Sequence, residues 1–273
     1  MKAESDARVL LTETAAKQIA AQMKVDPEFA LAASYMHAKK IVRQRVNLSK
    51  VGEQAVESFR LNPPPATEEP VADISEDWLN AFEEQASLMS SEQMQRLFGR
   101  ILAGEVRKPS TYSIKTLKLM AQLDNRAASL FTLLCSLAIS NSFPGANMLS
   151  DARVVSMGNA GSNSLQPYGL GFDSLNILHE YGLIISDYNS YMDYRMAIAR
   201  DNRLLPLRYQ NKLYGFVSKG EVPPIQNEFR VAGVAFTKSG RELLSIVDIE
   251  PNEAYTAALV EHFDKQGMTF TTV

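Results

Sequence analysis

From Trp78 to Leu123 the chain carries amphipathic helices set so close together that they must pack on one another, and this constrains the fold more than any other feature. Ser75 stands at a helix start, and Trp78, Phe82, Ala86 and Met89 follow at helical spacing on one face. Ser90 with Gln93 makes a capping-box pattern for a second helix. Its apolar face is Met94, Leu97, Phe98, Ile101 and Leu102, and Pro109 closes it. Ser113 caps a third helix carrying Ile114, Leu117, Met120 and Ala121. Asp124 opens a fourth with Ala127, Leu130, Phe131, Leu134 and Ala138. Connections this short force the apolar faces together.

Upstream, residues 5–24 read as a helix whose partial apolar stripe is Val9, Leu10, Ile19, Ala20 and Met23. Asp26-Pro27-Glu28 is a second start, with a cap, a proline at the first helical position and an acid near the positive helix end. That helix is expected to reach about Arg60, with an interruption near Asn47-Leu48-Ser49. The run from Leu61 to Pro70 contains three successive prolines, which cannot continue a helix, and predicts a semi-rigid spacer. The main boundary is placed here, giving a helical segment over 1–60, a linker over 61–73, a helical bundle over 74–140 and an α+β part over 141–273.

After Asn141 the pattern changes. Residues 156–171 are rich in Gly, Ser and Asn and read as a loop, and Phe172 to Gly182 as a short helix ended by its glycine. Leu183-Ile184-Ile185 reads as a strand, Leu204–Tyr209 and Leu213–Val217 as a hairpin, and Phe229–Phe236 as a further strand. Thr237 starts a helix, and Glu253 to Lys265 forms a last one with Ala254, Ala257, Ala258 and Val260 turned inward. Helix, short strand, hairpin, strand and helix in that order resemble a winged-helix module. The expected fold class is therefore mainly α with a C-terminal α+β part, a helical bundle followed by a winged-helix-like module.

Charge bears on function more than composition does. Over 273 residues the net charge is −3, which excludes a globally basic protein but not a local basic surface. From Leu61 to Gln95 there are eight acids and no Lys or Arg. From Arg96 to Lys118 the sign reverses, with Arg96, Arg100, Arg107, Lys108, Lys115 and Lys118 against one acid, Glu105. Lys39, Lys40, Arg43 and Arg45 add a second basic run. Two readings stand. The bases contact phosphates of a nucleic acid, or, more simply, they neutralise the acidic helix within the bundle or across a subunit contact.

Other chemistry is thinly represented. His37, His179 and His262 lie on separate segments without the spacing of metal ligands, and the single cysteine, Cys135, sits in an apolar run and admits no intrachain disulfide. Gly158 to Ser164 is glycine-rich but lacks the Lys-Ser/Thr ending of a phosphate loop, and reads as a surface loop. The paired acids Glu68-Glu69, Glu76-Asp77 and Glu83-Glu84 read as a solvated face. No catalytic set, metal or cofactor is expected. Neither a signal core nor a run of the roughly 18 apolar residues a membrane-spanning helix needs is present, so a cytoplasmic protein is expected.

One resemblance runs through these segments. Ser90-Ser91-Glu92-Gln93-Met94-Gln95-x-Leu97-Phe98-x-x-Ile101-Leu102-Ala103-Gly104-Glu105, followed by Lys108-Pro109-Ser110-Thr111-Tyr112-Ser113-Ile114-Lys115-Thr116-Leu117, resembles the bacterial Domain of Unknown Function 2806 family. The Trp78 helix, the basic helix ending in Arg43-x-Arg45-x-Asn47, and Phe236-Thr237-x-x-Gly240-Arg241-Glu242-Leu243 are similar as well. The motif residues are Trp78, Gln95, Gly104, Glu105, Pro109, Ser113, Thr116 and Leu117. One departure is that Ser110-Thr111-Tyr112 stands where the family pattern is Gly-Ser-Phe. The resemblance implies no catalytic residues and associates the chain loosely with phage defence. The expected function is a non-enzymatic regulatory or interaction protein with nucleic acid as candidate partner. A scaffold self-associating through complementary acidic and basic helices, and a nuclease or toxin component with an unusual site, are the alternatives.

Overall fold

Asp26 and Pro27 start a helix as their chemistry predicts: the Asp26 carboxylate accepts the Phe29 N–H at 3.0 Å. In the computed structural model, which describes residues 2–23, 26–63, 73–142, 149–158, 163–200 and 204–273, the chain divides into two compact units, Met1–Pro109 and Ser110–Val273.

The first unit is helical. Helix α1 (Lys2–Ala20) packs on α2 (Pro27–Leu61), and α3 (Glu76–Ala86) and α4 (Glu92–Arg107) pack on α2 in turn. The residues buried on α1 and the adjoining half of α2 are small, with Thr12 and Ala16 on one and Ala30, Ser34 and Ala38 at four-residue spacing on the other. The apolar stripe expected on α1 is corrected by this, because Val9 and Leu10 lie exposed while the small residues let the helices approach. α2 is also unbroken where an interruption was expected. Asn47 is buried, and its Nδ2 donates to the Ser87 carbonyl at 2.8 Å, so a residue that tempts the backbone out of a helix instead ties α2 to the end of α3. Gly99 allows the next contact: a Cβ there would stand 2.6 Å from the Gln54 Cβ and 2.9 Å from the Ala55 nitrogen. Because α2 packs on both α3 and α4, the proline-rich run does not separate the N-terminal helices from the bundle. The division falls instead after Pro109, and residues 64–72 of the expected linker lie outside the described residues.

Caps and faces follow the sequence with two shifts. α4 is capped by Ser91, not Ser90, with Ser91 Oγ accepting the Met94 N–H at 3.3 Å. Ser75 holds the cap position of α3 without a side-chain cap bond. Trp78 stacks on Phe82 at 5.1 Å, and Phe82 meets Phe98 of α4 at 5.8 Å, which fixes the α3–α4 pairing.

The second unit opens with α5 (Ile114–Gln122) and α6 (Asn125–Leu137) and then builds a seven-stranded, wholly antiparallel sheet. Its strands are β1 (Ile139–Asn141), β2 (Asp151–Val155), β3 (Tyr191–Asp193), β4 (Leu207–Tyr209), β5 (Lys212–Ser218), β6 (Arg230–Ala235) and β7 (Met268–Thr272), in the order β3-β6-β2-β1-β4-β5-β7. Among the described residues three further helices follow α5 and α6 in this unit: α7 (Phe172–Glu180), α8 (Lys238–Leu244) and α9 (Glu253–Lys265). The β4–β5 hairpin turns at Gln210 and Asn211, both with positive φ (46° and 63°), the left-handed pair a tight hairpin requires.

Mainly α with an α+β C-terminal part therefore describes the chain. The winged-helix-like expectation meets a larger structure: α7, the hairpin, β6 and α8 occur in the expected order, but β1, β2, β3 and β7 widen the sheet to seven strands. Leu183-Ile184-Ile185 forms no strand, only a bridge from Ile184 to Phe236. The inward face of α9 is also corrected, since Tyr255, Leu259 and Phe263 are buried and Ala254 and Ala257 exposed. Phe263 packs edge-on against Phe216 of β5 at 4.7 Å and lies 5.5 Å from Phe270 of β7. Larger rings remove more apolar area from water than alanines can, which decides the helix rotation.

Candidate functional site

Between Glu28 and Glu53 α2 contains no acid and five bases, Lys39, Lys40, Arg43, Arg45 and Lys50. All five are exposed, and among the described residues none makes an ion pair. Met36, Lys39, Lys40 and Arg43 fall at i, i+3, i+4 and i+7, so they share one face, which lines a shallow groove with Tyr35 and His37. A straight helix carries these charges about 6 Å per turn of its surface, a spacing that suits successive phosphates.

The basic run after Arg96 is divided between the two units. Arg96 is exposed on α4 and Arg100 half-buried. Arg107 is structural: its Nη2 donates to the Ser58 and Asn62 carbonyls at 2.6 Å each, and its guanidinium lies 4.9 Å from the Phe59 ring centroid. It thus closes the C-terminus of α2, where carbonyls lack partners and a cation is favoured. Lys108 caps α4 through its backbone N–H. Lys115 and Lys118 belong to the second unit, exposed on α5 beside Glu180 and Tyr181 in a shallow cleft.

The motif residues of the first unit serve packing. Trp78 is 5% exposed in the aromatic stack, and Gln95 is buried with its Nε2 donating to the Met89 carbonyl at 2.9 Å. Glu105 is buried, and Gly104 supplies the carbonyl that accepts Lys108 N–H. Pro109 ends the unit.

In the second unit the motif converges on one carboxylate. Ser113 caps α5, its Oγ accepting the Thr116 N–H at 3.3 Å and lying 2.9 Å from the Thr116 hydroxyl. The same Ser113 donates through its backbone N–H (2.8 Å) and its hydroxyl (3.1 Å) to Glu242 Oε2 on α8. Tyr112 pairs with the Ser245 hydroxyl at 3.2 Å, and Thr116 and Leu117 are fully buried beneath. The Pro109-to-Leu117 stretch and the Gly240-Arg241-Glu242 stretch, far apart in sequence, are thus two sides of one joint. A cleft of about 300 Å³ opens beside it, lined in part by Ser140, Arg208, Arg241, Glu242 and Ser245. Reading the sequence missed Arg208, Arg241 and Glu242 as site residues. The available signal was a Glu placed between Arg241 and two leucines, where a helix turns its apolar face inward.

The remaining candidates stay apart. His37 lies on α2, His179 Nδ1 contacts the Ile184 carbonyl at 3.3 Å, and His262 lies on α9. No group of three or more His, Cys, Asp or Glu converges among the described residues. Cys135 is buried, and burial pushes its thiol well above the usual range, away from the reactive thiolate. Among the described residues no helix is long and apolar enough to cross a membrane.

A family model described as a protein of unknown function, DUF2806, matches residues 33–260, a span that holds the basic face of α2 and the whole Ser113–Glu242 joint. No curated protein and no solved structure matches the chain.

Proposed function

The chain belongs to the DUF2806 family, and we propose that it is a non-enzymatic binding protein whose α2 face engages the phosphate backbone of a nucleic acid. The observation that carries this reading is the exposed set Lys39, Lys40 and Arg43 on one face of α2, without an ion pair among the described residues, on a helix with no acid between Glu28 and Glu53. Bases with an internal role would be engaged by the protein, as Arg107 is by the Ser58 and Asn62 carbonyls. The winged-helix-like order would instead present α7, but that helix carries Asp173 and Glu180 and no Lys or Arg, so it offers phosphates nothing. With about three phosphate contacts, from Lys39, Lys40 and Arg43, affinity for duplex DNA should fall with a log–log salt slope of roughly −2.7. A salt titration on labelled duplex DNA, single-stranded DNA and RNA tests this. Lys39→Glu with Arg43→Glu should abolish binding, and absence of binding at low salt removes the reading.

A second reading rests on a different surface. Glu76, Asp77, Glu83 and Glu84 are exposed on α3, opposite in sign to α2, and would suit pairing between two copies of the chain. Sedimentation at low and high salt separates the two: salt-sensitive self-association without nucleic acid supports the scaffold, and a monomer throughout excludes it.

A further inference from the structure

The joint between α5 and α8 leaves two buried polar groups unanswered in the same cleft. Glu242 is 3% exposed. Its Oε2 is doubly bonded by Ser113, but Oε1 is buried and accepts no hydrogen bond among the described residues. Among the described residues the cation facing Oε1 is Lys238 Nζ, 3.7 Å away on a largely exposed side chain, a contact too long for a hydrogen bond. Next to it in sequence, Arg241 donates Nη1 to the Phe236 carbonyl at 3.1 Å while its buried Nε–H has no acceptor among the described residues. Arg208, exposed on β4, lines the same cleft and has no ion pair among the described residues. A buried carboxylate oxygen and a buried guanidinium N–H are expensive to leave unmet, and native structures leave few.

We propose that this cleft is a binding site for a small oxyanion that also carries a hydroxyl or amino group. The oxyanion, phosphate or carboxylate, meets Arg208 and the free Nε–H of Arg241, and the O–H or N–H donates to Glu242 Oε1. Both orphan groups are satisfied by one molecule, and neither half of it suffices alone. Ser140, 3% exposed on β1, and the Ser245 hydroxyl complete a polar wall. At about 300 Å³ the cleft is at the small end of ligand sites, fitting a sugar phosphate or an amino acid and excluding a folded macromolecule. Ser113 is the positioning residue: its two bonds hold Oε2 and leave Oε1 as the carboxylate oxygen available to a ligand. The site lies in the second unit and stands independently of the α2 surface.

The test is calorimetry on the full chain with four probes: ribose 5-phosphate, L-serine, inorganic phosphate and ribose. Ribose 5-phosphate or serine should bind at least tenfold more tightly than phosphate and ribose, and which of the two binds identifies the oxyanion. Arg208→Ala, a surface change that leaves the fold intact, should weaken that binding at least tenfold. Glu242→Gln should erase the advantage over inorganic phosphate. Equal binding of phosphate and ribose 5-phosphate with no binding of serine, indifference to Arg208→Ala, or no binding of any probe at millimolar concentration overturns the proposal.

Discussion

Asn47 on α2 donates its side-chain amide to the carbonyl of Ser87, 40 residues away at the end of α3, and the bond is 2.8 Å long and buried. Gln44, one turn earlier, places its Nε2 3.4 Å from the Ser87 hydroxyl. Helix α3 therefore ends on α2. Asn47→Ala removes the donor and leaves a helix-end carbonyl buried without a partner, which should cost about 1–3 kcal/mol. Urea denaturation of the full chain measures it. Asn47→Asp should cost more, because a carboxylate cannot donate to a carbonyl. An unchanged midpoint for both would show that Ser87 finds another donor.

Arg153 is 2% exposed, and all three of its guanidinium nitrogens are hydrogen-bonded. Its Nε and Nη2 bind both oxygens of Asp151 at 2.7 and 3.1 Å, and its Nη1 donates to the Ser190 and Val231 carbonyls at 2.7 and 3.0 Å. Tyr194 donates to Asp151 at 2.6 Å, and its burial, reinforced by that carboxylate, pushes its hydroxyl pKa well above the usual range. Asp151→Asn should cost about 3–5 kcal/mol, because it strands a buried cation. The double variant Asp151→Leu with Arg153→Met should cost less than the single one, since it strands no charge. Additive losses in equilibrium unfolding would contradict that account.

How much of this was legible depended on the kind of physics involved. Local rules carried the helices: Asp26, Ser113, Asp124 and Thr237 each cap the helix that their position predicts. The sheet was legible at the Gln210-Asn211 hairpin and at the Phe229–Phe236 run that becomes β6. β2 was not anticipated: it carries two charges, Asp151 and Arg153, and their pairing inside the sheet is a tertiary fact. The cleft was hidden likewise, since Ser113 and Glu242 are 129 residues apart and only the fold joins them. The helix faces of α1 and α9 went the other way because periodicity gives a face without saying which large side chains win it.

Ser110 lies between these cases. Ser110 has φ of 68°, the left-handed region that a Cβ disfavours and glycine adopts freely. Ser110→Gly relieves roughly 1 kcal/mol of backbone strain and gives back about 0.5–1 kcal/mol through the freer unfolded chain. The melting temperature should therefore hold or rise slightly, whereas Ser110→Val should lower it by several degrees. A lower melting temperature for the glycine variant would mean that the serine's own bonds outweigh the strain.

His262 on α9 should give the chain a dependence on pH near neutrality. Burial first, and the Lys265 ammonium second, lower its pKa below the ordinary 6.5. Lys265 is paired with Glu261 at 2.7 Å, one turn from it, so its charge is partly spent. Gln266 Nε2 lies 2.8 Å from His262 Nε2 and donates to it in the tautomer protonated at Nδ1, a bond that protonation would break. The unfolded chain therefore takes up the proton before the folded one does. Stability from this residue is complete above pH 6.5 and is lost as the pH falls through the lower folded value. The side chain is half-exposed, so solvent screening holds the effect under about 1 kcal/mol. Urea midpoints at pH 8 and pH 5 should show a drop in the wild type that His262→Gln reduces, and equal drops in both would return His262 to its ordinary titration.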